Sequence, residues 1–289
     1  MPQAEAYTFG PALQANSATF VKVPEQAMST PETARPERLL VIVAHPDDAD
    51  FGVAATVAGW IRQGTVARLV CCTSGDAGGD DPATEPLELA RLREQEQLAA
   101  AEVVGYEGVD FLHRPDGALA NDLALREQLV RIIRRFRPDA VMAMDPTVII
   151  LAREPAAEDA TEGAGDADPP AADRRSGYVQ HVDHRMAAQA ALDAVYPAAR
   201  NPMAFRQLAL EEGLDAHAVN RLYLFFSDRP NAWIDVSDTL ETKISALRCH
   251  ASQLRRPDEL EEMIRGWARE EGQRLGSAAA ESFRIVDIG

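Results

Sequence analysis

Leu39-Leu40-Val41-Ile42-Val43-Ala44-His45-Pro46-Asp47-Asp48-Ala49-Asp50 is the stretch on which the reading of the whole chain turns. Its first half is an unbroken apolar run of Leu, Val and Ile, the pattern of a strand buried on both faces of a parallel sheet. An imidazole and two adjacent carboxylates follow at once, where that strand would stop. Packing does not ask for such a combination, whereas ligands of open α/β sheets sit beyond the carboxyl ends of the strands. A second group, His181-Val182-Asp183-His184-Arg185, opens a helix-like segment far downstream. Two His/Asp clusters at two strand-to-helix transitions predict one divalent-metal site built from both.

Outward from Leu39, strand and helix signals alternate. Gly52–Gln63 has helical spacing and stops at Gly64, a residue suited to a helix C-terminus. Val66–Thr73 reads as a second strand, running into the glycine-rich turn Ser74–Asp81. Pro86–Val104 is the clearest helix, with Pro86 in its first turn and faces marked by Leu89, Leu92, Glu96, Ala99, Ala100 and Val103. Strands are predicted around Val109–Leu112 and Ala140–Met144, with an amphipathic helix over Leu123–Phe136 between them. Further on come helices from Arg185 and Leu208, strands at Arg221–Phe226 and Trp233–Val236, and a helix running to His250 and capped by Ser237 or Asp238. A helix over Asp258–Gln273 and an edge strand at Phe283–Val286 close the chain. This alternation predicts an α/β fold: a Rossmann-like, mostly parallel sheet flanked by helices, with the metal site at the carboxyl ends of the strands.

Two stretches fall outside the pattern. Residues 1–36 read as a loosely packed leader to a single domain over 37–289. Residues 153–177 are Ala, Glu, Asp, Gly and Pro with almost no large apolar side chains, and read as a flexible acidic insertion just ahead of His181. A formal net charge of −17 argues against nucleic acid and anionic membranes as partners, since both need clustered Lys and Arg. No apolar run reaches the ~20 residues that span a bilayer, and the N-terminus lacks a signal-peptide pattern, so a cytoplasmic protein is expected. Cys71, Cys72 and Cys249 lack metal or redox spacing and read as packing residues. The Ser74–Asp81 turn has no phosphate-binding Lys and reads as a pocket wall.

A catalytic zinc takes three protein ligands and keeps a position open. The chain offers His45, Asp47, Asp48, Asp50, His181, Asp183 and His184. Asp47 and Asp48 are neighbours and point differently, so one suits a ligand and the other a base beside a metal-activated water. A second histidine could stabilise a developing oxyanion as imidazolium, and Asp183 could fix an imidazole tautomer. Asp50 reads as a helix-start residue, His250 as a helix cap or subunit contact, and His217 as surface. His113 reads as structural or exposed.

Ala44-His45-Pro46-Asp47-Asp48-Ala49 with His181-Val182-Asp183-His184 resembles the paired signature of the LmbE-like, or PIG-L, zinc-dependent N-deacetylases. Thr73–Gly79, Arg93–Glu96, Arg114–Gly117, Arg137–Asp139 and Ala246–Gln253 match in the same order. The resemblance implies Zn²⁺ on His45, Asp48 and His184, with Fe²⁺ or Co²⁺ also compatible. It implies Asp47 as general base, His181 as oxyanion stabiliser and Asp183 as the residue orienting its histidine neighbour. Arg93 and Asp116 then fall where relatives contact a sugar. Some members carry a Tyr two residues before the first His of the second motif; here Val179 holds that position and Tyr178 lies one further, as a candidate substrate contact.

The expected activity is removal of an N-acetyl or other N-acyl group from a small-molecule amino sugar or glycoconjugate by attack of a metal-activated water. Related proteins imply a homo-oligomer, a trimer or hexamer. Two alternatives remain at this point: an amidase acting on a thiol conjugate or an antibiotic-type glycoside, and a non-catalytic metal- and sugar-binding protein.

Overall fold

The computed structural model describes residues 35–79, 81–152, 177–254 and 256–288; almost all of the leader and the acidic insertion lie outside the described residues. Strand β1 (Arg38–Val43) is buried almost throughout, as its apolar run requires. It pairs in parallel with β2 (Val66–Thr73) on one side and β4 (Ala140–Met144) on the other. β3 (Gly108–Arg114) continues the sheet beyond β2, and β7 (Arg221–Phe225) beyond β4, all parallel. β9 (Ala280–Asp287) then runs antiparallel to β7 and to β8 (Ala232–Asp235), giving the order β3-β2-β1-β4-β7-β9-β8. A separate antiparallel pair joins β5 (Ile150–Ala152) to β6 (Gly177–Val179). The fold is the expected α/β sheet flanked by helices.

Helices α3 (Pro86–Val104) and α4 (Leu123–Phe136) begin and end where the sequence places them. Pro86 starts α3, and Gly105 at φ 98° ends it in a conformation that suits glycine. Its buried face, however, is Leu89, Arg93, Glu96, Gln97, Ala100 and Val104, while Leu92 and Val103 are exposed. Three long polar side chains, Arg93, Glu96 and Gln97, are thus buried among Leu89, Ala90, Ala100, Ala101 and Val104. α5 (Val182–Asp193) follows the second motif, α6 (Arg206–Glu212) follows it, α7 (Leu240–Leu247) lies against α3, and α8 (Pro257–Leu275) lies against β8 and β9.

Three expectations are corrected. β9 is internal, bonded on both sides, so the edge strand is β8. Thr239, not Ser237 or Asp238, precedes the first turn of α7. The first helix starts earlier and in two pieces, α1 (Asp48–Gly52) and α2 (Ala54–Arg62), broken at Val53. α1 thereby begins inside the motif and carries Asp48 on its first residue. Cys71 and Cys72 are buried packing residues of β2, and Cys249 is half-buried. No described helix is long and apolar enough to cross a membrane.

Gly52 lets α1 sit on β7: a Cβ there would lie 2.5 Å from the Phe225 ring, itself 1% exposed and unable to yield. Gly52→Ala is therefore expected to destabilise the protein by about 1–3 kcal/mol, the usual cost of overpacking, as a lowered urea midpoint with unchanged slope.

Candidate metal centre

β1 delivers His45, and the chain then turns sharply so that α1 can start at Asp48. Asp47 sits in that turn at φ 98°, ψ −31°, near the geometry of the third residue of a type II turn, where glycine is usual. Asp48 Oδ2 accepts from the backbone N–H groups of Ala44 (3.1 Å) and His45 (2.9 Å), locking its carboxylate back onto the strand end. The other oxygen, Oδ1, lies 3.1 Å from His184 Nε2, and Oδ2 lies 3.6 Å from His45 Nδ1. α5 supplies His184 on its first turn, so the two sequence motifs meet as expected.

Three imidazoles converge there: ring centroids of His45, His181 and His184 are 5.1–5.3 Å apart, and their nitrogens form one possible metal-holding group. Mutual protonation at that spacing is unfavourable, and burial together with the neighbouring imidazoles pushes the His181 pKa down. On its far side, His45 Nε2 meets Asp116 Oδ1 at 2.9 Å and Asp183 Oδ2 at 3.4 Å. Burial lowers the His45 pKa, but bonds to Asp116 and Asp48 outweigh it and push it up to about 11. Burial raises the Asp116 pKa, yet the bond to His45 holds it down to about 2. Without a cation His45 thus carries protons on both nitrogens; loss of the Nδ1 proton would leave a lone pair beside Asp48, while Asp116 keeps the Nε2 proton. This is the carboxylate–histidine arrangement that fixes a metal ligand's tautomer, so the donor set fits a divalent cation.

Asp183 is fully buried, but its carboxylate does not reach the ring of His181. It accepts from Gly117 N (2.7 Å) and Leu119 N (3.1 Å) and faces His45. His181 is instead oriented by the Asp183 backbone: its Nδ1 accepts from Asp183 N at 3.2 Å as the N-cap of α5. That leaves the Nε2–H of a neutral ring free, where the sequence suggested an imidazolium.

Arg93 donates to Gly75 O (3.0 Å), Pro46 O (2.8 Å) and Asp47 Oδ2 (3.2 Å), and is only 4% exposed. Its guanidinium lies against Gly75 and Gly78, where a Cβ would come within 2.3 and 2.2 Å of Nη1. The glycine-rich turn thus makes room for an arginine that braces Asp47. Burial and the Asp48 charge push the Asp47 carboxyl up to about 7, against the pull of Arg93. Of the predicted substrate contacts, Arg93 and Asp116 line the cavity; Tyr178 is placed on β6 by its backbone, and its side chain lies outside the described residues.

The cavity over the cluster measures about 910 Å³ and reaches from His45 and His181 past Phe51 and Phe226 to Trp267 on α8. Two residues read as minor in the sequence prove central: Asp50 and His250 are fully buried and bonded to each other, Nε2 to Oδ2, at 2.9 Å. His217 is half-buried, its Nε2 2.7 Å from Pro138 O, and His113 is largely exposed beside Glu94.

The family model described as PIG-L: GlcNAc-PI de-N-acetylase matches residues 40–152. The likeness to the PIG-L family lies in that stretch, which contains the first of the two motifs of the metal centre. The chain's match with a diacetylchitobiose deacetylase of Thermococcus kodakarensis is 28% identical and covers 86% of this chain and 83% of the relative. A 1D-myo-inositol 2-acetamido-2-deoxy-alpha-D-glucopyranoside deacetylase of Mycobacterium sp. (strain KMS) is 27% identical over 75% of this chain and 74% of its own. Among solved structures, the N,N'-diacetylchitobiose deacetylase of Pyrococcus horikoshii superposes with a TM-score of 0.72 at 26% identity, covering 87% of this chain and 84% of that one. These three similar proteins are all named as deacetylases.

The positive φ of Asp47 carries a strain that only glycine relieves. Asp47→Gly is expected to be more stable than Asp47→Ala by about 1 kcal/mol, since both lose the carboxylate and only one loses the strain. Thermal unfolding of the two variants side by side checks this.

Proposed function

We propose that the protein is a metal-dependent hydrolase that removes an N-acetyl, or other N-acyl, group from an amino-sugar-containing small molecule. The observation that carries the reading is Asp47: a carboxylate held out of the ligand cluster, beside it, at the floor of a large cavity. The names of its relatives support the same chemistry. His45, Asp48 and His184 would hold the cation, with Zn²⁺ best suited to a His₂Asp set and Fe²⁺ or Co²⁺ compatible. Bound there, it would lower the pKa of water and polarise the substrate carbonyl.

Asp47 takes a proton from the attacking water as the water oxygen bonds to the carbonyl carbon. Arg93 fixes the angle of that carboxylate through its bond to Oδ2. His181 donates Nε2–H to the carbonyl oxygen as it gains charge, its ring held by the N-cap bond. The C–N bond then breaks, the amine leaves with the proton carried by Asp47, and the acyl group departs as a carboxylic acid that gives its remaining proton to solvent. Asp183 and Asp116 hold His45 in place throughout. Arg93 and Asp116 line the cavity where sugar hydroxyls would meet them, with Tyr178 a further candidate two residues before Gln180 on the cavity wall. The free cysteines suit a reducing compartment such as the cytoplasm.

Acetate release from a panel of N-acetylglucosaminides tests the reading. Asp47→Ala is expected to lower kcat by about 10²- to 10⁴-fold, and His181→Ala by about 10²- to 10³-fold. Chelation is expected to abolish turnover and Zn²⁺ to restore it. Full activity in the chelated protein or in Asp47→Ala would contradict the mechanism. Metal uptake without release of any acyl group would favour a binding protein.

A further inference from the structure

α3 buries three polar side chains near the site, Arg93, Glu96 and Gln97, and Arg93 is only the first. Gln97, fully buried, accepts from the Asp47 backbone N–H through Oε1 at 2.8 Å and donates through Nε2 to Asp50 Oδ2 at 2.9 Å. The same Asp50 oxygen meets His250 Nε2 at 2.9 Å. Glu96 fixes the segment that bears His250: its two carboxylate oxygens accept from Ser252 N (2.7 Å) and Ser252 Oγ (2.6 Å). A continuous hydrogen-bond chain therefore runs from His250 through Asp50 and Gln97 to the backbone of Asp47.

That chain is a poor choice for stability alone. Among the described residues, Asp50 Oδ1 and His250 Nδ1 are buried without a partner, and each unsatisfied group costs more than an apolar replacement would. None of the three side chains is among those lining the cavity. What the chain does hold is the N–H of a residue whose φ is 98°, a conformation that persists only where its surroundings over-determine it. Arg93 constrains the same residue at Pro46 O and Oδ2, from the side-chain end.

We propose that Gln97, Asp50 and His250 are positioning residues for catalysis, a buried clamp that keeps the Asp47 backbone in its strained turn and so aims its carboxylate into the cavity. The catalytic consequence rests on the hydrolase reading above; the clamp on the Asp47 amide does not. Gln97→Met keeps the volume and removes both bonds. It is expected to lower kcat by about 10- to 100-fold with KM and bound zinc unchanged. It should also speed hydrogen exchange at the Asp47 amide about fivefold or more, the loss of one hydrogen bond, while exchange in β1 stays as it was. Asp50→Ala should do the same, and Asp50→Asn, which still accepts from Gln97, should restore part of kcat. Unchanged exchange at Asp47, an unchanged kcat beside faster exchange, or a loss of kcat matched by loss of zinc would each overturn the proposal. Should the wild-type protein release no acyl group, the hydrolase reading fails on its own, and the exchange measurement still decides whether the clamp exists.

Discussion

The site depends on one carboxylate. Asp48 Oδ2 takes the last two free N–H groups at the end of β1, those of Ala44 and His45, while Oδ1 reaches across to His184 on α5. Parts of the chain 136 residues apart are thereby tied at one point. Burial works against the charge, yet the Asp48 pKa is lowered, because His184 and His45 offset the desolvation. Removing the carboxylate would leave two backbone donors at a buried strand end and take from His184 the acceptor that faces it. Breaking a buried pair from one side is costly for that reason.

Around this knot the protein spends stability on geometry. Asp47 occupies a backbone conformation better suited to glycine, Asp116 and Asp183 crowd one imidazole, and α3 buries Arg93, Glu96 and Gln97 where leucines would be cheaper. Each of these raises the energy of the folded state unless a neighbour compensates. Together they hold the Asp47 carboxylate, the His181 ring and the cluster of His45, Asp48 and His184 in fixed relation, which is the electrostatic preorganisation the proposed hydrolysis would require.

Much of this was legible in the sequence, for physical reasons that can be named. β2, α3, α4 and β4 follow signals local in the chain: β-branched runs, Pro86 at a first helical turn, Gly105 after a last one. The meeting of His45, Asp48 and His184 followed from two motifs at strand ends, because a parallel sheet gathers its carboxyl ends on one side. What stayed hidden depends on distant pairing. The internal place of β9 arises from antiparallel bonds to β7 and β8 that no short window encodes. Asp50 and His250 lie 200 residues apart, and neither spacing nor periodicity joins them. A faint signal existed in α3, whose pattern has polar residues at Arg93, Glu96 and Gln97 on one helical face together with Leu89 and Ala100.

Anomalous scattering from crystals grown with zinc is the most direct test, because His45 belongs to two possible groupings, one with His181 and His184 and one with Asp116 and Asp183. On its Nδ1 side are Asp48 and His184; on its Nε2 side are Asp116 and Asp183. The account predicts a single peak bonded to His45, Asp48 and His184, with the Asp47 carboxylate beside it and unbonded. A peak held by Asp116 and Asp183, or one that Asp47 itself ligates, would contradict it.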